Sequence, residues 1–413
     1  MAVADERSDA WLGLAAAEQA RGRGSKLVRR TPVLTSTSLS EHCGGTILLK
    51  AENLQRTGSF KLRGALNKLS GVAPGATVVA GSAGNHAQSV AYAARARGVR
   101  CEVFMPANAS IAKLSAVEGF GGVVHLGGAS VDACVAEARR WAAEADAVFV
   151  HPFDDPEIIA GQATLGLELL EDVADLATVI VPVGGGGLIS GVAGAVKERR
   201  PDVRVVGVQV EACSPYRDSL RLGTPVEAHA TTPTIADGIA IKRPGEVTLG
   251  LVERWVDELV VVSDDVVADA MVRLLERAKL VVEGAGAVGV AALLSGVVKP
   301  ATHGATVAVL SGGNVDAGLL AAVARRHETT EGRRLRVFTR IPDRPGGLAE
   351  LLGHVARAGG NLVSVEHVRE AVPLHVNQTG VDLIVETRGA DHADAIVTGL
   401  RTAGYQLERT KSE

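Results

Sequence analysis

Between residues 46 and 314, short runs of β-branched and aliphatic side chains alternate with longer stretches whose apolar positions recur at helical spacing. The pattern predicts strands over 77–80, 102–105, 123–126, 147–151, 178–183, 203–210 and 305–310. It predicts helices over 86–97, 112–118, 131–144, 156–172 and 188–199. Apolar strands separated by amphipathic helices fit parallel sheets covered on both faces, an α/β architecture. Residues 324–333, ARRHETTEGR, are charged and aperiodic, and read as a linker.

Beyond that segment the pattern changes. Leu335, Val337, Thr339 and Ile341 alternate as a strand, and Pro345 opens a helix with Leu348, Leu351, Leu352 and Val355 on one face, closed by Gly359-Gly360. Strands follow over 362–368 and 381–386, then a helix over 391–403 and a strand over 405–408. This is the ferredoxin-like order βαββαβ. The expected division is residues 1–323 for a first domain, containing a smaller subdomain at about 50–150, and 334–413 for a second.

Composition narrows the function. The 413 residues exceed one ordinary core. A formal net charge of -4 and 3% aromatic residues provide no basic, aromatic-laced surface for nucleic acid. Cys43, Cys101, Cys134 and Cys213 stand far apart without a CxxC pair, which argues against zinc or a disulfide framework and for a reducing compartment. The amino terminus MAVADERSDAW lacks the apolar core of a secretory signal, and the apolar runs are too short to span a bilayer, so a cytoplasmic location is expected.

Three glycine-bearing segments each stand where a predicted strand ends. Gly184, Gly185, Gly186 and Gly187, just before a helix, expose backbone N–H groups that could cradle a phosphate dianion. Their order fits neither GxGxxG nor GxxxxGK[ST], which disfavours a dinucleotide or nucleoside triphosphate. Ser82-Ala83-Gly84-Asn85-His86 offers a hydroxyl, an amide and free N–H groups for a carboxylate or phenolate oxygen, although Ser and Asn are also common in turns. Ser311-Gly312-Gly313-Asn314 closes the last strand of the first domain in the same manner. Lys61 follows Ser59 and Phe60 where a turn gives way to a helix. With Ser59 as N-cap it stands in the first helical turn, whose positive end lowers an amine's pKa and suits it to act as nucleophile and base. His125, His151, His229 and His303 show no ligand spacing and read as ordinary residues.

In order, SFKLRGA, SAGNHAQ, GGGGL and SGGN resemble the fold-type II pyridoxal-phosphate enzymes, and among them the threonine/serine ammonia-lyase (threonine dehydratase) family, over residues 25–320. The resemblance implies two parallel-sheet αβα subdomains and pyridoxal 5'-phosphate as cofactor. It implies that Lys61 holds the cofactor as a Schiff base and later takes the substrate's Cα proton, that Phe60 packs beside the ring, and that Asn85 bonds the 3′-oxygen. Gly184 to Gly187 with Leu188 would bind the phosphate, and Ser311 would face the pyridine nitrogen. Ser82, Ala83, Gly84, Asn85 and His86 would surround the substrate carboxylate.

A serine hydroxyl cannot protonate the ring, which favours β-elimination over chemistry that needs a long-lived carbanion. The implied reaction converts L-threonine, and L-serine with it, to 2-oxobutanoate or pyruvate and ammonia. Serine racemases on this fold resemble the chain but carry a serine in place of Ala83, and cysteine and threonine synthases carry an acidic residue in place of Leu62; both departures favour the ammonia-lyases. The alternatives are a serine or aspartate racemase, a 3-hydroxyaspartate ammonia-lyase, or a non-catalytic amino-acid sensor. Glu283 is a candidate for a position near the ring and Asp237 lies in the family-like segment IADGIA, and either reads equally well as a solvated or capping carboxylate. A cation ligand of related enzymes would align with Gln209, which leaves a metal site open. The last 80 residues, with Asp343-Arg344-Pro345-Gly346-Gly347 between strand and helix, resemble an ACT domain. That resemblance implies an amino-acid or nucleotide effector and a homodimer or homotetramer.

Overall fold

A computed structural model describes residues 13–228, 233–369 and 375–409; the readings made for MAVADERSDAW and for His229 lie outside them. The chain forms two compact units, Met1–Asp316 and Ala317–Glu413. Among the described residues the first contains ten strands: β1 (Val33–Thr35), β2 (Thr46–Ala51), β3 (Thr77–Gly81), β4 (Arg100–Met105), β5 (Val123–Leu126), β6 (Val148–Phe149), β7 (Leu176–Pro182), β8 (Arg204–Val210), β9 (Glu258–Val262) and β10 (Ala305–Leu310). They make a six-stranded sheet in the order β1-β2-β10-β7-β8-β9 and a four-stranded sheet in the order β5-β4-β3-β6. All neighbours are parallel except β1 with β2. The chain thus leaves the large sheet after β2, builds the small one, and returns at β7.

Both faces of the large sheet are covered, so its central strands need no polar alternation: all six residues of β10 are buried. The helix Gly284–Leu294 is apolar all round and lies inside the unit. Helix starts follow local chemistry. Asp155 caps Pro156–Asp172, accepting from the amides of Glu157 (2.8 Å) and Ile158 (3.3 Å), with a proline at the helix start.

That helix supports the one carrying Lys61, Lys61–Leu69. A Cβ on Gly161 would lie 2.5 Å from the Cα of Gly64, so the two backbones meet where they cross. Beside the crossing lies a buried cage of charges. Arg63 donates to both oxygens of Glu52 (2.9 and 2.7 Å) and both of Glu168 (2.7 and 2.9 Å). Lys50 at the end of β2 donates to Glu168 (2.6 Å) and to the carbonyl of Thr31 (2.8 Å).

The second unit holds β11 (Arg334–Pro342), β12 (Asn361–Val368), β13 (Gln378–Glu386) and β14 (Leu407–Arg409), antiparallel in the order β12-β13-β11-β14, with helices Gly347–Arg357 and Ala390–Thr402. This is the ferredoxin-like sheet. Residues 324–330 of the segment expected to be a linker are helical, because Ala317–Thr330 carries Val323 and His327 four residues apart on one buried face and packs against β11. Its charged residues occupy the remaining faces, which hid the period. Among the described residues no helix is long and apolar enough to cross a membrane.

Candidate active site

The strands β3, β7 and β10 end at Gly81, Pro182 and Leu310, directly before or within two residues of Ser82, Gly184 and Ser311. Parallel strands put their carboxyl ends on one side of a sheet, and there a crevice opens. A cavity of about 330 Å³ lies there, walled by residues of both sheets' connections. Every residue singled out from the sequence for catalysis or for cofactor and substrate binding lines it: Phe60, Lys61, Ser82 to His86, Gly184 to Leu188, and Ser311.

Lys61 begins its helix, and its Nζ donates to the carbonyl of Pro152 at 2.7 Å. Burial lowers its pKa to about 8, with Glu283 drawing it partly back. Ser59 is not the expected cap. Phe60 holds that position, while Ser59 is drawn into an antiparallel bridge with Gly312, and its hydroxyl is buried without a partner. The amide of Phe60 donates to the carbonyl of Ser311 (3.0 Å), so the lysine segment and the last glycine segment are zipped together.

Asn85 is fixed at both ends. Its Nδ2 donates to Glu283 Oε1 (2.7 Å), and its Oδ1 accepts from Asn314 Nδ2 (2.7 Å). Glycine at 312 makes room for this, since a Cβ there would stand 2.1 Å from the Glu283 oxygen. Glu283 is therefore a buried wall residue rather than a solvated one, and burial raises its pKa to about 8, helped by Asp237 and opposed by the Asn85 bond. Asp237 is exposed and pairs with Lys113 across the cavity rim at 2.8 Å. His86 lies with Nε2 2.9 Å from the carbonyl of Val150, so that nitrogen carries its proton; burial and then Lys61 lower its pKa to about 3.

The glycine loop is shaped from behind. Gly186 has φ +92° and precedes the helix Gly187–Arg199. A Cβ on Gly185 would fall 2.3 Å from the ring of Phe153. Thr248 Oγ1 (2.7 Å) and Tyr216 OH (3.1 Å) both donate to the carbonyl of Gly185. Neither side chain lines the cavity, so that carbonyl points away from it.

A model of the pyridoxal-phosphate dependent enzymes matches residues 24–313. The chain belongs to this family. Among curated proteins, this pyridoxal-phosphate dependent enzyme is 46% identical over 385 residues to the L-threonine ammonia-lyase of Thermotoga maritima, covering 92% of this chain and 95% of that one. It is 43% identical over 302 residues to the L-threonine dehydratase catabolic TdcB of Escherichia coli (strain K12), covering 72% and 92%. Among solved structures it is similar to a T.th. threonine deaminase (TM-score 0.70, 39% identity, 74% and 99% covered) and to maize serine racemase (TM-score 0.70, 35% identity, 78% and 99% covered).

The residues present fit pyridoxal phosphate. The loop that would take its phosphate is bare of side chains at a helix start, and the amine that would bond its carbonyl carbon has a depressed pKa. Gln209 is buried, with Nε2 3.5 Å from the carbonyl of Val183 and Oε1 accepting from the amide of Tyr216. Among the described residues no group of three or more His, Cys, Asp or Glu could hold a metal. Sequence reading missed Pro152 and Phe153 as cavity residues, although they follow β6 just as the other segments follow their strands. Lys113, Tyr216 and Thr248 come from distant helices and carry no local signal.

Proposed function

We propose that this enzyme is a threonine ammonia-lyase, converting L-threonine, and L-serine with it, to 2-oxobutanoate or pyruvate and ammonia. Water leaves across Cα–Cβ, and hydrolysis of the resulting enamine's imine form returns one water as ammonia departs. The observation that carries the reading is the Lys61 amine on a cavity wall shared with Ala83 and Ser311, where it donates to the Pro152 carbonyl at 2.7 Å and desolvation lowers its pKa to about 8. The likeness to an L-threonine ammonia-lyase over 92% of the chain supports it.

Gly184 to Leu188, Phe60, Asn85 and Ser311 would hold the cofactor, which would supply the electron sink for breaking the Cα–H bond. Lys61 would carry the cofactor and move the Cα proton at its Nζ, a task to which a lowered pKa of about 8 is suited. Asn85, locked by Glu283 and Asn314, presents a fixed amide to the 3′-oxygen. Ser82, Ala83, Gly84 and Asn85 take the substrate carboxylate, with the His86 ring turned to the Val150 carbonyl. Ser311 is too weak an acid to charge the pyridine ring, which suits elimination. Ala83 has no proton to deliver to the second face of Cα, which disfavours racemisation.

Replacing Lys61 by Ala is expected to abolish the near-visible cofactor absorbance and to lower 2-oxo acid formation by about 10³-fold or more. A wild-type protein that neither holds pyridoxal phosphate nor gains it on reconstitution overturns the reading. Faster turnover of 3-hydroxyaspartate than of L-threonine would favour the runner-up substrate.

The second unit is proposed to act as an ACT regulatory domain, with residues 1–323 catalytic and 334–413 regulatory. In it a cavity of about 550 Å³ is lined by the turn Pro342 to Gly346 and by Leu352, Arg369 and Thr379. The Thr379 hydroxyl is buried there without a partner, which suits an amino-acid or nucleotide effector. The edge strand β12 exposes Leu362, Val363 and Val365, which supports a homodimer or homotetramer paired through such edges. Four free cysteines, three of them buried, fit a cytoplasmic enzyme.

A further inference from the structure

We infer that His151 is a positioning residue for Lys61: its imidazole builds the turn whose Pro152 carbonyl docks the Lys61 amine whenever that amine is free. The inference rests on Lys61 being the catalytic lysine proposed above. After β6 the backbone is tied to the small sheet through Val150, whose amide donates to Val79 at 2.9 Å and whose carbonyl meets His86. Past that point no ladder continues. His151 Nδ1 takes over, accepting from the amides of Asp154 (2.7 Å) and Phe153 (3.3 Å). One ring nitrogen thereby closes a tight turn around Pro152, as an Asx side chain does elsewhere. Pro152 has no N–H and a fixed φ, so its carbonyl is the polar group the turn presents to the cavity, where Lys61 donates to it at 2.7 Å. The far side of the turn is anchored as well. Asp154 accepts from the amides of Thr248 (3.0 Å) and Glu246 (3.1 Å), and Asp155 caps the next helix.

A nitrogen that accepts two amides carries no proton, so His151 is the neutral tautomer with its hydrogen on Nε2. Its surroundings keep it so: burial first, then the cations Arg139 and Lys61, lower its pKa to about 4, with Asp155 alone opposing. The dock has a definite effect on the amine. A neutral amine has two hydrogens and one lone pair. Donating one hydrogen to Pro152 holds one of the three tetrahedral positions on Nζ and so confines the lone pair to the other two. Once protonated, the same nitrogen makes a charge-assisted bond to the same carbonyl, which offsets part of the cost of burial.

Capture of added pyridoxal phosphate by full-length protein stripped of cofactor, followed by absorbance and fixed with borohydride, reads the amine's pKa without turnover. His151→Leu is expected to lower the apparent pKa of capture by about one pH unit. His151→Asn, whose Oδ1 stands as many bonds from Cα as Nδ1 does, is expected to restore the wild-type profile. In the holoenzyme, His151→Leu should lower kcat for L-threonine about tenfold with KM little changed, and Asn should recover most of it. If the Leu variant does not accumulate, His151→Gln, whose longer arm carries its oxygen past the two amides, replaces it with the same expectation. An unchanged capture profile in the Leu or Gln variant, or an Asn variant that behaves like Leu, overturns the inference. Borohydride label on a different lysine of the wild type overturns the assignment of Lys61 and this inference with it. Label on Lys61 with an unshifted profile overturns this inference alone.

Discussion

His86 illustrates how burial fixes a protonation state and passes it on to stability. Its folded pKa is about 3 against an ordinary 6.5, burial being the main cause and Lys61 the second. The unfolded chain takes up this proton first as pH falls, so the stability contributed by a neutral His86 is fully present above about pH 6.5 and is lost as pH falls toward about 3. His151, depressed to about 4, adds to the loss over the same range. Urea midpoints should therefore fall steadily from pH 7 to pH 4, and His86→Gln should flatten that slope; an unchanged slope in the variant would contradict the buried neutral ring. At this scale the sequence exposed the residues whose type is itself unusual for their place. Lys61 at a helix start, four glycines after a strand and Asn85 beside Gly84 were readable as chemistry. The Pro152 acceptor was not, because every residue has a carbonyl and only the fold selects which one faces an amine.

The helix Lys61–Leu69 is held less by its own sequence than by what it crosses. Its N-cap position belongs to Phe60, which makes no side-chain capping bond, so its first turn depends on the Gly64–Gly161 contact and on the Arg63 cage. Arg63→Met would leave Glu52 and Glu168 buried with Lys50 as the remaining cation of the cage, at a cost of about 3–5 kcal/mol. Arg63→Lys should recover only part of that, since an ammonium cannot serve two carboxylates with the planar fork that Arg63 uses. Denaturant unfolding of both variants checks the order; equal stability of wild type and Met variant would show that the cage contributes nothing net. Val131–Glu144, with Cys134, Ala138 and Ala142 buried at helical spacing, and Pro156–Asp172, opened by Asp155-Pro156, were legible to the residue. The helix Ala317–Thr330 was not, because only Val323 and His327 of its last eight residues are buried and a charged helix then looks like a linker.

In the whole molecule the two units divide the length unequally, and the comparisons bear on what each needs. The family match ends at residue 313, and the Escherichia coli relative is spanned to 92% of its length by an alignment of 302 residues. The likeness to the Thermotoga maritima relative runs over 385 residues, more than the first unit alone contains, so it extends into the second unit. If that unit senses a ligand through the Thr379 cavity, coupling must change the affinity of the first unit for its substrate by a definite factor, and typical couplings are about 5- to 150-fold. Full-length protein is therefore expected to shift half-saturation for L-threonine about fivefold or more with one of isoleucine, valine or AMP. A chain ending at Asp316 should keep kcat and lose the shift. Thr379→Val, which removes the unpartnered hydroxyl while keeping its shape, should weaken the effector without changing the unliganded rate. Steady-state kinetics on the three proteins separate the cases. No shift in the full chain with any of these ligands removes regulation by them, and a shift that survives truncation moves the effector site into the first unit.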